Sequence, residues 1–380
     1  MKLKSEMKLE SEMNVDIDTA QLQRLSVPLM KWYKSNARVL PWRKQITPYR
    51  VWISEIMLQQ TRVEAVKEYY ARFMKRLPDI GSLSEIEEEE LLKLWEGLGY
   101  YNRARNLKRA AQLIMADYGG EMPGSYEELL RLPGIGTYTA GAIGSIAFSL
   151  REPAVDGNVL RVLARLRGDY DDIMKPAVRK RVENELRALL LEISNEKENV
   201  PGILNQALME LGALVCVPNG DPRCDQCPLK EQCYAANHQC YTELPVKTQK
   251  KPRVIEDMTV ILIMDDQEAL LYKRGKKGLL AGLYEFPNAK GSLSEQEVIE
   301  YVEALGFMAL HVERKEDAKH IFTHREWRMR VYAVKIAQLS QSELNQSDEE
   351  ARIGTFADKS TIIQQYALPT AFAQFKKYLS

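Results

Sequence analysis

The sequence predicts a mainly α-helical region followed by a smaller, separate α+β domain. Apolar residues recur at helical spacing from Gln21 to about Tyr241. A basic, proline-punctuated stretch follows around Thr242, and runs of β-forming residues lie beyond it. The 380 residues suit two or three domains, and a hydrophobic fraction of 45% is enough to build their cores.

Residues 1–18 read as a disordered tail, because Met1 to Asn14 alternates lysine with glutamate and resembles neither a signal nor a transit peptide. The helical region covers 19–241. Within it Ile56, Val63, Val66, Tyr70 and Phe73 predict one long amphipathic helix that stops before Pro78. The acidic run Ser84–Glu90 predicts a helix start with Ser84 and Glu87 as a capping box, and Ser125 with Glu128 predicts another. A helix over Arg103–Tyr118 meets Gly119 and Gly120 as its stop, and further helices fit Lys180–Leu191 and Asn205–Val215. Residues 242–256 read as a linker. In 257–380, strands are expected over Met258–Met264, Ala269–Tyr272 and Trp327–Lys335, with a helix over Ser294–Leu305 and another opened by Pro369.

The run Leu132-Pro133-Gly134-Ile135-Gly136-Thr137-Tyr138 predicts a hairpin between two helices. Pro133 ends the first helix, Gly134 and Gly136 can take positive φ, and Thr137 can cap the second helix. Free amides at a helix start form an anion site, and a nucleic-acid phosphate is a natural occupant. Ala140, Gly141 and Gly144 then permit close packing of that helix. Lysine plus arginine balance aspartate plus glutamate at 53 each, so any nucleic-acid footprint is local. Arg103, Arg105, Lys108 and Arg109 form such a patch. No window is apolar for long enough to span a bilayer, so a cytoplasmic, bacterial-like location is expected.

Two carboxyls stand out. Glu55 sits in the apolar segment Ile53–Leu58, a setting that raises a carboxyl pKa and suits an acid. Asp156, followed by Gly157 and Asn158 at a helix start, has amides and a dipole to keep it ionised. Four of the five cysteines, Cys216, Cys224, Cys227 and Cys233, are separated by seven, two and five residues. That clustering favours a metal over disulfides, and one Cys-x-x-Cys pair with uneven intervals favours an iron–sulfur cluster over zinc.

Together, Pro41-Trp42-Arg43, Ser54–Thr61, Gly97-Leu98-Gly99-Tyr100-Tyr101, the hairpin, Val155–Asn158 and the cysteine loop resemble the adenine DNA glycosylases of the helix–hairpin–helix base-excision superfamily, from about Leu22 to the C-terminus. The resemblance implies a mainly α helix–hairpin–helix glycosylase core with an iron–sulfur cluster loop, plus an α+β Nudix-like C-terminal domain. It further implies that Glu55 protonates adenine at N7 and that Asp156 stabilises the sugar oxocarbenium ion, with Tyr138 and Asn158 orienting that centre. Where relatives that also cut the backbone carry a lysine, this chain has Tyr138, which implies base removal without efficient strand cleavage. Gln206 is implied to read adenine, in a pocket with Trp42, Arg43 and Leu58. Gln60 and Tyr100 are implied as wedges, Thr61 and Leu98 as contacts to the opposite base, and Gly134 and Gly136 as phosphate contacts. The four clustered cysteines are implied ligands of a [4Fe-4S] cluster.

The stretch Gly278–Gly306 loosely resembles a Nudix fold, but its helix lacks the arginine and paired glutamates that hydrolases of that fold use to hold metal. A binding module is therefore expected, sensing 8-oxoguanine through Phe322, Thr323 and His324. The implied partner is double-stranded DNA carrying 8-oxoguanine:adenine or guanine:adenine mispairs, bound by a monomer. The chain departs from the family pattern in having seven rather than six residues between its first two clustered cysteines, and Thr323 where serine is usual. An endonuclease-III-like glycosylase for oxidised pyrimidines and a catalytically silent DNA sensor are the competing readings. Tyr138 argues against the first, and Glu55 with Asp156 against the second.

Overall fold

The computed structural model describes residues 19–193, 198–248, 252–337 and 354–379, so the tail expected over 1–18 lies outside the described residues. The chain forms two compact units, Met1–Glu85 with Asn106–Gln249 and Ile86–Arg105 with Lys250–Ser380. The short segment 86–105 thus clusters with the C-terminal residues, a grouping that chain order does not suggest. Strand structure begins at Val254, inside the stretch read as linker.

The helices in chain order are α1 (Thr19–Asn36), α2 (Pro48–Leu58), α3 (Val63–Arg76), α4 (Ile80–Glu85), α5 (Glu88–Leu94), α6 (Asn102–Asp117), α7 (Tyr126–Leu129), α8 (Thr137–Phe148), α9 (Gly157–Arg167), α10 (Pro176–Glu192), α11 (Val200–Leu214) and α12 (Tyr234–Asn237). The single long helix expected through Ile56 and Phe73 is two helices. Gln60 takes φ 60°, and the Thr61 amide turns back onto the Leu58 carbonyl at 3.3 Å. Apolar spacing continues across this break, and periodicity does not register one left-handed residue. Ser84 does not cap a helix either. It lies in the last turn of α4 and donates to the Gly81 carbonyl, while α5 starts at Glu88 without a side-chain cap. Ser125 does cap α7, accepting from the Glu128 amide at 3.3 Å.

The first unit's core is built by α1, α9, α10 and α11, with Leu29, Val159, Leu163, Leu186, Leu204 and Leu211 all buried. Helix α8 is small-faced so that it can lie against the segment leading into α9. A Cβ placed on Gly141 would sit 2.0 Å from the Pro153 carbonyl oxygen, which is backbone and has little room to yield. Gly141→Ala is therefore expected to cost about 3 kcal/mol, read as a lower urea midpoint at unchanged slope.

The second unit holds α5 and a mixed sheet of β1 (Val254–Met264), β2 (Glu268–Lys273), β3 (Tyr284–Glu285), β4 (Asn288–Lys290), β5 (Ala309–Arg314), β6 (Ala318–Ile321), β7 (Arg325–Ile336) and β8 (Gly354–Asp358). The main path runs β3-β2-β1-β7-β5, with β1 and β7 parallel at the centre. Alternation along β7 serves both faces. Trp327, Met329 and Val331 join one core, and Tyr332, Val334 and Ile336 join the other. Helix α13 (Glu295–Ala304) covers the second core through Val298 and Val302. Its Glu297 closes a capping box with Ser294. Short helices α14 (Lys359–Gln364) and α15 (Thr370–Ala373) follow, the latter opened by Pro369 as expected. Among the described residues no helix is long and apolar enough to cross a membrane.

Candidate active site

The site is built where α2, α8, α9 and α11 present side chains to one cavity of about 600 Å³. It brings together Trp42, Arg43, Glu55, Leu58, Gln60, Thr61, Tyr138, Asp156, Asn158 and Gln206, residues drawn from widely separated parts of the sequence. Glu55 reaches it from α2, whose start is fixed by Pro48 and by Thr47 accepting from the Arg50 amide. Glu55 is 7% exposed, and burial pushes its carboxyl up to about 7, aided by the charge of Asp156 and opposed by Tyr138 and Arg43. The Tyr138 hydroxyl donates to Glu55 Oε2 at 2.5 Å. Burial and the neighbouring carboxylates raise the Tyr138 phenol well above its usual value, so it stays protonated and acts as the donor.

Asp156 caps α9. Its Oδ1 accepts from the Val159 amide at 2.8 Å and its Oδ2 from Asn158 Nδ2 at 2.6 Å. Burial nevertheless outweighs these bonds and raises its pKa from the ordinary aspartate value, so the cap does not by itself hold the group at low pKa. Asn158 is oriented by Arg161, which donates to its Oδ1 at 2.8 Å and also to the carbonyls of Gly212 and Cys216. The amide therefore turns its Nδ2 toward Asp156.

The polar wall holds residues that the sequence reading missed. Glu210 on α11 accepts from Arg38 at 2.8 Å and from Arg43 at 3.0 Å. Burial pushes Glu210 upward, but these hydrogen bonds overcome it and hold the carboxyl at about 2. Gln206 has both ends of its amide engaged, with Oε1 accepting from Tyr33 at 3.0 Å and Nε2 donating to the Gly202 carbonyl at 3.1 Å. These two bonds fix the orientation of the amide and leave one N–H and one oxygen lone pair for a base. Glu210 lies on the apolar helix α11, and its partners lie too far away in sequence to be paired with it.

In the hairpin, Gly134 takes φ 81°, and a Cβ there would meet Asn106 Cβ at 2.7 Å. Gly136 is extended at φ −99° and is itself the cap of α8, with Thr137 the first helical residue rather than the cap. Two members of the basic patch are engaged within the second unit, whereas Arg109 is exposed. Arg103 packs over the rings of Trp95 and Tyr100 and donates to the Leu98 and Gly99 carbonyls, while Arg105 pairs with Glu88 at 2.8 Å. Leu98, Tyr100, Phe322, Thr323 and His324 all lie in the second unit. There Phe322 packs edge-on between His320 and Trp327, and Tyr100 Oη lies 2.6 Å from Thr323 Oγ1.

Cys216, Cys224, Cys227 and Cys233 line one small cavity beside Arg165. Arg165 donates to Cys216 Sγ at 3.4 Å. Burial pushes the Cys227 thiol up to about 12, and the neighbouring thiols add to the effect. Among the described residues no three His, Cys, Asp or Glu side chains converge on a single metal-ion position.

Residues 53–188 match the HhH-GPD superfamily of base excision DNA repair proteins, and residues 258–378 match the NUDIX domain. An adenine DNA glycosylase of Buchnera aphidicola subsp. Schizaphis graminum is 34% identical over 298 residues, covering 78% of this chain and 82% of that protein. The adenine DNA glycosylase of Homo sapiens is 33% identical, covering 83% of this chain and 68% of that protein. The structure of a thermostable thymine-DNA glycosylase superposes with a TM-score of 0.50 at 26% identity, covering 58% of this chain and 100% of that one. With a helical glycosylase core, a Nudix-like domain and relatives of this identity along most of its length, the chain belongs to the adenine DNA glycosylase family and is a hydrolase of N-glycosyl bonds in DNA.

Proposed function

We propose that this pocket excises adenine from mispairs with 8-oxoguanine or guanine, with Glu55 as the acid and Asp156 as the counter-charge. The observation that carries the reading is a buried glutamic acid, with a pKa near neutrality, sharing one cavity with a helix-capping aspartate. Tyr138 occupies Oε2 of Glu55, which leaves Oε1 to carry the transferable proton. That proton goes to a ring nitrogen of the flipped purine, so the base leaves neutral. Asp156 faces the sugar cation that results, and Asn158, locked by Arg161, holds the carboxylate in place. Trp42 and Leu58 supply apolar cover, and the Arg38–Glu210–Arg43 cluster supplies fixed polar groups for the base edge.

The described lining of the cavity contains no lysine, and Tyr138 has no amine with which to form a Schiff base. The reaction is therefore monofunctional. Phe322, Thr323 and His324 sense the oxidised guanine, in a domain whose helix α13 uses Glu297 for capping. The test is a set of duplexes with adenine opposite 8-oxoguanine, adenine opposite guanine, or thymine glycol. Breaks at adenine that appear only after alkali support the reading. Alkali-independent breaks at the pyrimidine, or none at all, reject it.

Cys216, Cys224, Cys227 and Cys233 would hold a [4Fe-4S] cluster, which when bound would cross-link the end of α11 to the loop 224–233 beside Arg165. The uneven cysteine intervals, with a single Cys-x-x-Cys pair, favour this cluster over zinc. Purified protein should be yellow-brown, with about four irons per chain, and Cys227→Ala should lose the colour. Colourless protein with stoichiometric zinc contradicts the assignment.

A further inference from the structure

Segment 86–105 carries Leu98 and Tyr100, and it clusters with the C-terminal residues rather than with the helices that flank it in sequence. Its backbone is unusual. Gly97, Gly99 and Tyr100 take φ of 99°, 70° and 48°, and the last is an uncommon conformation for a residue with a side chain. A turn of this kind persists where its surroundings over-determine it. From below, the buried Trp95 donates to the Gly99 carbonyl at 3.1 Å, and Arg103 donates to the Leu98 and Gly99 carbonyls.

The anchor on the C-terminal side is a compact set of charges. Glu96 accepts from Lys93 and, at 2.8 Å, from Lys376 Nζ. Lys93 also donates to the Tyr366 carbonyl at 2.9 Å. The three charged side chains are only 18–20% exposed, so water and salt screen them far less than an ordinary surface pair. Burial lowers the Lys93 pKa, in keeping with a partly dry setting.

We infer that the Lys93–Glu96–Lys376 triad positions Leu98 and Tyr100, so that recognition of the opposite base depends on side chains that do not themselves meet the mispair. This rests on the reading that Leu98 and Tyr100 meet the mispair. Lys93, Glu96 and Lys376 are positioning residues. They are not among the residues that line the cavity, and they fix the conformation in which the turn is presented.

The test uses the full-length protein, Lys376→Met, which keeps the apolar stem without the charge, and Lys376→Arg, which restores the charge. Hydrogen exchange without DNA should show amides 96–102 opening about three- to tenfold faster in Lys376→Met and recovering in Lys376→Arg, with α11 unchanged. Unchanged exchange across 96–102 overturns the inference whatever the enzyme's substrate. In single-turnover excision, Lys376→Met should lower the preference for adenine opposite 8-oxoguanine over adenine opposite guanine by a similar factor, with the guanine rate little changed. Equal losses on both duplexes overturn the specificity role. A wild-type protein with no such preference overturns the functional reading instead, while the exchange result still judges the triad.

Discussion

Glu55→Gln is expected to slow adenine release by about three orders of magnitude, within the range that a positioned acid contributes. The substitution keeps the shape and the Tyr138 hydrogen bond but removes the proton. The same change should make the protein more stable at alkaline pH. The folded-state pKa of Glu55 is about 7 against an ordinary 4.5, so the unfolded chain gives up this proton first. Stability linked to Glu55 is complete below the unfolded value and falls as pH rises toward the folded one. Above about pH 7 the buried carboxylate costs about 3 kcal/mol. Glu55→Gln should therefore raise the melting temperature at about pH 8 and leave it nearly unchanged at about pH 4.5. Losing activity while gaining alkaline stability is the mark of a group placed for chemistry at the expense of the fold.

Asp156→Asn is expected to lower the single-turnover rate by about a thousandfold while costing only about 1 kcal/mol of stability. Asparagine still accepts from the Val159 amide, so α9 remains capped. What disappears is the negative charge facing the sugar and the acceptor for Asn158 Nδ2. Substrate affinity should be nearly unaffected, because the cation exists only in the transition state. A variant that loses duplex binding as much as rate would show that Asp156 acts in the ground state.

The apolar setting of Glu55 and the helix-capping place of Asp156 were legible in the sequence, but the burial that raises Asp156 was not. Glu55 lies among apolar residues on its own helix, and Asp156 precedes the glycine that starts another. Glu210 was not legible. Its partner Arg38 is 172 positions away, and nothing in the local sequence marks the pair. The commitment of Gln206 to Tyr33 is hidden for the same reason. Helix positions were readable through periodicity, yet the break after Leu58 was not, because it rests on one residue in a left-handed conformation rather than on glycine or proline. The grouping of 86–105 with the C-terminal residues depends on partners such as Tyr366 and Lys376, far along the chain. Local chemistry is thus written in local sequence, whereas the long-range pairs that orient it become visible only when the chain is folded.

The most direct test is the pH dependence of adenine release under single turnover, from about pH 5 to about pH 9, in the wild type and in Glu55→Gln. With the acid titrating at about 7, the wild-type rate should fall roughly tenfold per unit above that pH, and the variant should show no such limb. A wild-type rate that stays level or climbs through neutrality, or a variant that keeps the same alkaline decline, contradicts the assignment of Glu55 as the proton donor.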